Sequence, residues 1–512
     1  MTGPSATERA LAVAAFDPDV LQGLVARDLI TARATGESLA VGVPASPGRG
    51  AGAAYFELDA ALAGLDRGEA VVFVVPSTSP ADEPVIRHAA AVVTAGGGTA
   101  SHAAIVARGW GVPAVCGVDR LSFEAGSARF GAATVRSGDA LVVDGSTGVI
   151  LRAPEGDVAV GRVAAGEMVG GAVQTPARTP APTTPQLPGE MTELLTWADE
   201  ITAGRVAVFA NAESPADVAV AMRLGATGVG LCRSEHWFLG EHRPLLAQLL
   251  PGGSDPEHPA LLVRFEQITR AATEALLDAL DGAPATVRLL DASPAEFGIA
   301  GGVRGERGVR AARLRSDLYR AQLRALTGVA ADRAARGEPA GLRVLVPMVG
   351  GPDDLEFVSG LLDELRPAAE GVALPVGAMI EVPRAALTAA QIARRSAFLT
   401  IGTNDLTALA WGVDRNAPPV PGEIDPFASL DVDGVGRLIG LAIADARAVV
   451  PDLDVSACGE VAGDPSSIGP LIELGVTTLS VSPHRVAGAR LAAAQALLRL
   501  DTSGSAPPLG AG

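Results

Sequence analysis

Short apolar runs separated by amphipathic stretches recur through the last three fifths of this 512-residue chain. Eight of these runs are β-branched or apolar throughout, and each is followed by enough residues for a crossover helix, which is typical of buried parallel strands. The runs are 205–210, 228–232, 286–290, 343–347, 376–380, 398–401, 455–457 and 478–481. Eight strand and helix units predict an α/β fold of the (β/α)8 TIM-barrel type.

Reactive side chains come directly after most of the predicted strands. They are Asn211, Arg233, Asp291, Glu381, Asn404 with Asp405, Cys458 and Ser482. In a (β/α)8 barrel the carboxyl ends of the strands meet on one face, where active sites are found. The pattern therefore predicts a single site on that face.

A proline-rich segment divides the chain. Over 171–190 its prolines alternate with small polar residues, which predicts an extended, semi-rigid linker. Before the linker, short strand-like runs around one helical pattern predict a small α/β domain over 41–170, preceded by a helical segment over 1–40. After it, the barrel is predicted over 191–500 and a disordered tail over 501–512.

Composition narrows the class of protein. The chain carries 58 acidic and 40 basic residues, a formal net charge of −18, which excludes a nucleic-acid binder that works by bulk positive charge. The amino terminus lacks a basic start followed by an apolar run, and no stretch approaches about 18 unbroken apolar residues, so we expect a soluble cytoplasmic protein. Three widely spaced cysteines argue against a disulfide framework and a structural zinc site.

The segment AGGGTASHAAIVARGWGVPAVCG, residues 95–117, carries the first candidate chemistry. Three consecutive glycines allow a tight turn, and Thr99 and Ser101 supply hydroxyl groups. His102 follows at the first turn of a predicted helix, whose free N–H groups favour an anion. A histidine in this setting can carry a phosphoryl group on a ring nitrogen.

This segment resembles the phosphohistidine motif of the phosphoenolpyruvate (PEP)-utilising enzymes, which include pyruvate phosphate dikinase, PEP synthase and enzyme I of the sugar phosphotransferase system. In that family a histidine in a GG-x-[ST]-x-H-[AS]-type motif is phosphorylated on a small swivelling domain. The resemblance implies that His102 is this histidine. Ala100 departs from the family pattern, because it replaces a hydroxyl residue that hydrogen-bonds the phosphohistidine.

The barrel half resembles the same family through seven ordered segments. They are GVGLCRSEH, TVRLLDASPAEF, GERGVR, MIEVPRA, LTIGTNDLTALAWGVDR, ACGEVAGDP and SVSPHRVAGARLAAAQALL. The resemblance implies that Glu381 and Asp405 bind the metal and that Cys458 is the general acid at the methyl carbon of pyruvate. It also implies that the substrate is bound by Arg233, Arg288, Arg307, Gly402, Thr403, Asn404 and Asp405.

The residue types suit the chemistry that the resemblance implies. PEP brings a phosphate, a carboxylate and a developing enolate, so the site needs a divalent cation and several guanidinium groups. Two carboxylates suit Mg²⁺, which keeps its other positions for substrate and water. We expect nearby positive charge to lower the pKa of the Cys458 thiol toward neutrality. Cys116 and Cys232 are interpreted as small core residues, and His236 and His242 receive no role.

Further departures fall near the predicted site. Ala408 replaces the glutamine that usually follows GTNDLT, Gly301 and Gly302 stand where Asn-Pro is common, and His484 stands where an aromatic residue is usual. Because none of them replaces a metal ligand or the acid, we expect changes in affinity or acceptor choice.

The layout leads to three hypotheses. About 40 residues precede VGVPASPG, so we expect no ATP-binding domain like that of the dikinases, and a separate donor or acceptor protein or nucleotide-binding chain as phosphate partner. The leading hypothesis is a phosphotransferase that interconverts PEP and pyruvate through phosphorylated His102. The alternatives are a Mg²⁺-dependent carbon–carbon lyase and a non-catalytic PEP-binding regulator.

Family members of this architecture usually dimerise through the barrel, so a homodimer is expected, and the apolar segment ARLAAAQALLRL fits either that contact or core packing.

Overall fold

A computed structural model gives the structure of the protein. It describes residues 4–18, 20, 21, 25, 37–46, 48–78, 82–98, 101, 103, 104, 107, 112–145, 147–153, 161–163, 189–238, 242–251, 258–292, 307–338, 341–365, 372, 374–413 and 425–503. Within these ranges no helix has the length and apolar character needed to cross a membrane.

The first part of the chain forms a mixed nine-stranded sheet and a separate three-stranded antiparallel sheet, β7-β8-β9. The larger sheet has the order β1-β11-β10-β3-β4-β5-β6-β2, and β12 also pairs with β3. The strands are β1 (Glu37–Val41), β2 (Val43–Ser46), β3 (Arg49–Tyr55), β4 (Val71–Val75), β5 (Ala91–Thr94), β6 (Ala114–Cys116), β7 (Leu121–Glu124), β8 (Ser127–Phe130), β9 (Ala133–Arg136), β10 (Ala140–Asp144), β11 (Val149–Arg152) and β12 (Gly161–Val163). The run VVFVV of β4 is buried throughout, because both faces of the sheet are covered by apolar clusters.

The second part is a closed barrel of eight parallel strands, so the predicted (β/α)8 fold is confirmed. The strands are β13 (Ala207–Asn211), β14 (Val229–Arg233), β15 (Ala285–Arg288), β16 (Leu342–Val346), β17 (Val376–Ile380), β18 (Phe398–Gly402), β19 (Asp454–Cys458) and β20 (Thr478–Val481). Each differs from its predicted range by at most two residues at either end. The barrel closes where β20 pairs with β13.

Helices cover the outside of the barrel and one face of the first sheet. With bounds in the described part of the chain, they are α1 (Ala6–Ala15), α2 (Leu58–Asp66), α3 (Glu83–His88), α4 (Gly189–Thr202), α5 (Pro215–Arg223), α6 (Arg243–Leu249), α7 (His258–Leu280), α8 (Gly308–Leu314), α9 (Ser316–Ala335), α10 (Pro352–Leu365), α11 (Pro383–Leu387), α12 (Ala389–Ala393), α13 (Thr403–Trp411), α14 (Arg437–Val449), α15 (Pro465–Glu473) and α16 (Val486–Ser503). Sequence signals account for the residues at which several of these helices begin. At α5, Ser214 and Asp217 form a capping box and a proline occupies the first turn.

The amino-terminal segment packs on the barrel. Val13 of α1 is buried in the same apolar cluster as the barrel helices. Gln495 of α16 donates from Nε2 to the carbonyl oxygens of Val13 (2.8 Å) and Phe16 (2.7 Å), and Arg9 pairs with Glu200 at 2.7 Å. The segment that precedes the first sheet therefore packs on the barrel, a contact that the sequence did not indicate.

Several described elements cross the predicted boundaries. Strand β1 begins at Glu37, inside the segment predicted as helical, and α4 begins at Gly189, inside the predicted linker. Helix α16 continues to Ser503, three residues into the predicted disordered tail, where Arg205 pairs with Asp501 at 2.9 Å. Residues 171–188 of the predicted linker and residues 504–512 of the predicted tail lie outside the described residues. The domain boundaries stay predictions.

Core packing explains the apolar character of the last helix. Leu491 and Leu497 of α16 are buried in the barrel's apolar cluster, and the helix lies against α4 and α15. Since core packing accounts for these apolar residues, the helix gives no support to a homodimer, which stays a prediction.

Candidate functional site

The barrel brings most of the predicted site residues to the carboxyl ends of its strands. Arg233 and Arg288 end β14 and β15, Cys458 ends β19, and Gly402 joins β18 to α13. Glu381 directly follows β17. Because the eight strands are parallel, all of these residues lie at the same mouth of the barrel.

Glu381 is buried beside Asp405, which lies in the first turn of α13. Its Oε1 accepts a hydrogen bond of 2.6 Å from the backbone N–H of Met348, a residue with an uncommon left-handed φ of +55°. Burial raises the pKa of Glu381 to about 8, with a further contribution from the Asp405 and Asp291 carboxylates against the opposing Arg288 and Arg307. The Glu381 carboxyl group therefore holds its proton at neutral pH.

These two carboxylates fit a Mg²⁺ ion. Mg²⁺ is usually held by one or two protein carboxylates and keeps several waters. Within the described ranges no cluster of three or more His, Cys, Asp or Glu side chains is arranged to hold a metal. Burial is the main cause of the raised pKa of Glu381 and the Asp405 and Asp291 carboxylates add to it, so a divalent cation beside this group would favour its ionised form.

The absence of a side chain at residue 402 makes room for Glu381. A Cβ at Gly402 would lie 2.8 Å from both Cβ and Oε2 of Glu381. We expect Gly402→Ala to displace this carboxylate and to weaken Mg²⁺ binding about tenfold. Calorimetric titration with Mg²⁺ measures the effect. Gly360→Ala in α10 is the matched control, because a Cβ there meets open space, and equal Mg²⁺ affinity in both variants would contradict the expectation.

Arg307 joins two acidic groups of the site. Its Nε and Nη2 donate to the two carboxylate oxygens of Asp291 (3.0 and 2.6 Å), and Nη1 and Nη2 donate to those of Asp405 (2.9 and 3.2 Å). Asp291 has no exposed side-chain surface, whereas 27% of Arg307 is exposed. A planar guanidinium held on two sides presents a fixed orientation to an anion.

Arg288 is held in the barrel by two carboxylates. Its Nη2 bonds Glu235 Oε1, and its Nη1 lies 3.2 Å from Asp291 Oδ2. Arg288 Nε and Glu235 Oε2 are buried and have no hydrogen-bond partner among the described residues. Because a buried polar atom without a partner is costly, the Arg288 Nε–H would be stabilised by a water or ligand oxygen atom, and Glu235 Oε2 by a donor such as water.

Arg233 lies beside Glu213, two residues past the end of β13. Its Nη1 is 3.4 Å from Glu213 Oε1, and His236 Nδ1 is 3.8 Å from the same oxygen. Burial raises the pKa of Glu213 to about 7, although Arg233 opposes the shift. The carboxyl group that holds Arg233 therefore titrates near neutral pH.

This pKa predicts a pH dependence of stability. The pKa of Glu213 is raised from 4.5 to about 7 by folding, so between these values the folded protein holds a proton that the unfolded chain has released. Stability then falls as the pH rises through this window, by up to about 3 kcal/mol. Urea denaturation at pH 5, 6 and 7 should show a flatter dependence for Glu213→Gln than for the unmodified protein. The exposed Glu356→Gln is the control, and parallel curves for all three proteins would refute the assignment.

Cys458 is almost fully buried at the end of β19, among apolar side chains inside the barrel. Its thiol donates to the carbonyl oxygen of Ile401 at 3.5 Å. Burial raises the pKa of Cys458 to about 12, against the opposing Arg233 and with a smaller contribution from Glu381. The expected shift toward neutrality is therefore wrong for the ligand-free site, because removal from water outweighs the guanidinium groups.

The loop after Cys458 is fixed against α13. Thr403 donates from Oγ1 to the Cys458 carbonyl oxygen (2.6 Å), and Asn404 Oδ1 accepts from the Glu460 N–H (3.0 Å). A Cβ at Gly459, where φ is +102°, would lie 2.1 Å from Thr403 Oγ1. With Oδ1 engaged, the Asn404 NH₂ group is oriented as a donor for an anion.

The glycine-rich segment is described only in part. His102, with Thr99 and Ala100, lies outside the described residues. Gly97 has a φ of +91°, and a Cβ there would lie 2.7 Å from Ser101 Cβ. Ser101 Oγ accepts from the Ala104 N–H at 3.4 Å, as an N-cap does. This local geometry agrees with a tight turn that leads into a helix.

The other singled-out residues are accounted for as follows. Cys116 and Cys232 are buried core residues, as predicted. Burial lowers the pKa of the half-buried His484 to about 4, so its imidazole is neutral at physiological pH. Ala408 is half-buried in α13, and Gly301 and Gly302 lie outside the described residues.

Sequence reasoning assigned no role to three carboxylates of the site, Glu213, Glu235 and Asp291. Asp291 was already conspicuous as a polar residue directly after a predicted strand. Glu235 follows Arg233 by two residues, yet its partner Arg288 is 53 positions away. No local pattern indicates such a pair.

Comparisons with known proteins agree with this geometry. The family model described as "PEP-utilising enzyme, PEP-binding domain" matches residues 188–498, and "PEP-utilising enzyme, mobile domain" matches 68–148. Pyruvate, phosphate dikinase 1 of Arabidopsis thaliana is 32% identical over 97% of this chain and 54% of its own length. Pyruvate, phosphate dikinase of Clostridium symbiosum is 33% identical over 90% and 55%.

Solved structures give weaker likenesses. Protein CitE of Mycobacterium tuberculosis, in complex with magnesium and acetate, is 19% identical over 60% of this chain and 98% of its own, with a TM-score of 0.32. This overlap is too low to bear on function. The chain spans about half the length of the curated dikinases that it matches. Both family models and the arrangement of the barrel mouth lead to one conclusion: the chain belongs to the PEP-utilising enzymes.

Proposed function

We propose that the protein is a phosphotransferase that interconverts PEP and pyruvate, with His102 as the phosphoryl carrier. One observation carries the proposal: a buried, protonated thiol lies at the same barrel mouth as three arginines and a pair of Mg²⁺-type carboxylates. Phosphoryl transfer needs fixed positive charge around the phosphate and a proton source for the enolate that is left behind.

The chain's own residues divide this work. Arg233, Arg288 and Arg307 bind the phosphate oxygens and fix their orientation. The P–O bond to the enol oxygen breaks as a P–N bond to a ring nitrogen of His102 forms. The enolate that leaves takes the Cys458 thiol proton at its methylene carbon and becomes pyruvate. The thiolate is then reprotonated from solvent, so charge and atoms balance over the cycle.

A Mg²⁺ ion held by Glu381 and Asp405 would supply further positive charge to the phosphate and enolate oxygens. The raised pKa of Glu381 means that this carboxyl must lose its proton before it binds a cation. The metal would therefore bind more tightly as the pH rises toward about 8.

The second phosphate partner is proposed to be a separate donor or acceptor, either a protein or a nucleotide-binding chain. The match covers 54% and 55% of the lengths of two dikinases. A cytoplasmic location and a homodimer stay predictions of the sequence.

The test is incubation of the purified protein with Mg²⁺ and PEP, followed by intact mass measurement at neutral pH. We expect one acid-labile phosphate on the unmodified protein, none on His102→Ala, and an equal amount of pyruvate released. If neither protein gains phosphate while PEP still binds, the phosphotransferase is refuted in favour of a PEP-binding regulator. Cleavage of a carbon–carbon bond in a larger acid, without phosphate transfer, would instead support a lyase.

A further inference from the structure

A buried polar network lies behind the arginines, on the helix side of the barrel strands. Gln322 of α9 donates from Nε2 to Ser234 Oγ (2.8 Å) and accepts at Oε1 from the Leu290 N–H (3.0 Å). Ser234 in turn donates to the carbonyl oxygen of Arg288 at 2.7 Å. Gln322 and Ser234 are almost completely buried. One side chain of α9 thus joins the ends of two neighbouring strands.

A second side chain of the same helix reaches the loop that carries the third arginine. The hydroxyl group of Tyr319 lies between two carbonyl oxygens, those of Leu290 and of Gly308, the latter at 2.9 Å. Gly308 directly follows Arg307 and has a left-handed φ of +57°, where a Cβ would lie 2.7 Å from Met348 Cβ. Tyr319 is buried and is one of two tyrosines in the chain.

The contacts of Gln322 and Tyr319 both bear on the distance between Arg288 and Arg307. Tyr319 and Gln322 are three residues apart and therefore lie on the same face of α9. Gln322 reaches the Arg288 carbonyl oxygen through Ser234, and Tyr319 bonds the carbonyl oxygen of Gly308, next to Arg307. A buried hydrogen bond cannot be replaced by water at low cost, so this network has one favoured arrangement. Helix α9 consequently constrains the backbone on which Arg288 and Arg307 stand, while Asp291 Oδ2 contacts both of their guanidinium groups.

We propose that Tyr319 and Gln322 are positioning residues that set the spacing of Arg288 and Arg307, and that this spacing gives the site its preference for a phosphorylated ligand over pyruvate. The inference rests on the proposed function, because it takes these arginines as the phosphate-binding groups. The affinity for a phosphate bound by two guanidinium groups is sensitive to displacements well under 1 Å. Pyruvate has no phosphate group, so we expect its affinity to depend less on this spacing.

The test measures binding by the full chain, in the presence of Mg²⁺, of PEP and of pyruvate in separate calorimetric titrations. Tyr319→Phe removes one hydroxyl and keeps the ring, so we expect about tenfold weaker PEP binding with pyruvate affinity changed less than about twofold. Gln322→Met is the second variant, with the same expectation. The controls are Tyr55→Phe in the first domain, the other tyrosine, and Gln495→Met, a buried glutamine that bonds the backbone near α1.

The outcomes separate positioning from a general structural role. Equal losses for PEP and pyruvate, or unchanged PEP binding in both folded variants, would overturn the proposal. Phosphate transfer need not occur for this test: if PEP binds but His102 gains no phosphate, the proposed function fails while the positioning role is still measured. If the unmodified protein binds no PEP, both are overturned.

Discussion

Replacing Cys458 by alanine is expected to slow the exchange of pyruvate methyl protons with deuterated water at least about a hundredfold. Exchange requires a group that removes a proton from the methyl carbon and returns another. The thiolate of Cys458 is the form that removes the methyl proton, although a pKa of about 12 makes it the minor form of this side chain, which is 3% exposed inside the barrel. Nuclear magnetic resonance of pyruvate with protein and Mg²⁺ in deuterated water measures this rate without any phosphate transfer.

Cys232→Ala is the matched control for this prediction. Cys232 is also a fully buried cysteine in a barrel strand, but it lies in the cluster between strands and helices, whereas Cys458 lies in the cluster inside the barrel. Each variant removes one sulfur atom from a packed position. Exchange at the unmodified rate in Cys458→Ala would sink its assignment as the acid, and an equal loss in Cys232→Ala would attribute the effect to packing.

Replacing Arg307 by leucine is expected to lower both stability and PEP affinity. The variant leaves the fully buried Asp291 without its two-armed partner, and removal of one member of a buried pair costs about 3 to 5 kcal/mol. Arg288 remains 3.2 Å from Asp291, which places the expectation at the lower end of that range. PEP binding should weaken by more than about tenfold, because a charged hydrogen-bonding group is lost. Urea denaturation and calorimetry measure the two effects.

A double variant separates the two effects. Asp291→Asn added to Arg307→Leu removes the stranded charge, so stability should recover in part while PEP affinity stays low. Arg313→Leu is the control for loss of a surface arginine, because Arg313 is 43% exposed and pairs with Asp354. We expect it to cost less than about 1 kcal/mol and to leave PEP binding unchanged. Full PEP affinity in Arg307→Leu would exclude a substrate role for this arginine.

Local patterns were sufficient to predict the barrel. Runs such as VGAMI at Val376–Ile380 and FLTIG at Phe398–Gly402 are apolar over a strand's length, because a parallel strand is covered on both faces. The position of a polar residue directly after each run then identified Glu381 and Cys458 as site residues. Periodicity and chain order carry this information, since parallel strands necessarily end at one mouth.

Pairings between distant residues were not predictable. Glu235 with Arg288, Gln322 with Ser234, and the packing of α1 on α16 join positions 53 to 482 residues apart. None of them leaves a periodic or local signal, because each depends on which helix covers which strand. The same holds for the pKa of Cys458, which depends on how much water the folded barrel excludes.

The sequence by itself determined the family, the eight-stranded barrel and the residue types gathered at its mouth, because these follow from short-range patterns and ordered motifs. Only the tertiary structure decided which carboxylate pairs with each arginine and how far burial raises the pKa of the Cys458 thiol. It also decided that α9 is hydrogen-bonded to the backbone beside two of the arginines. These properties arise from distances and burial, which exist only once the chain has folded.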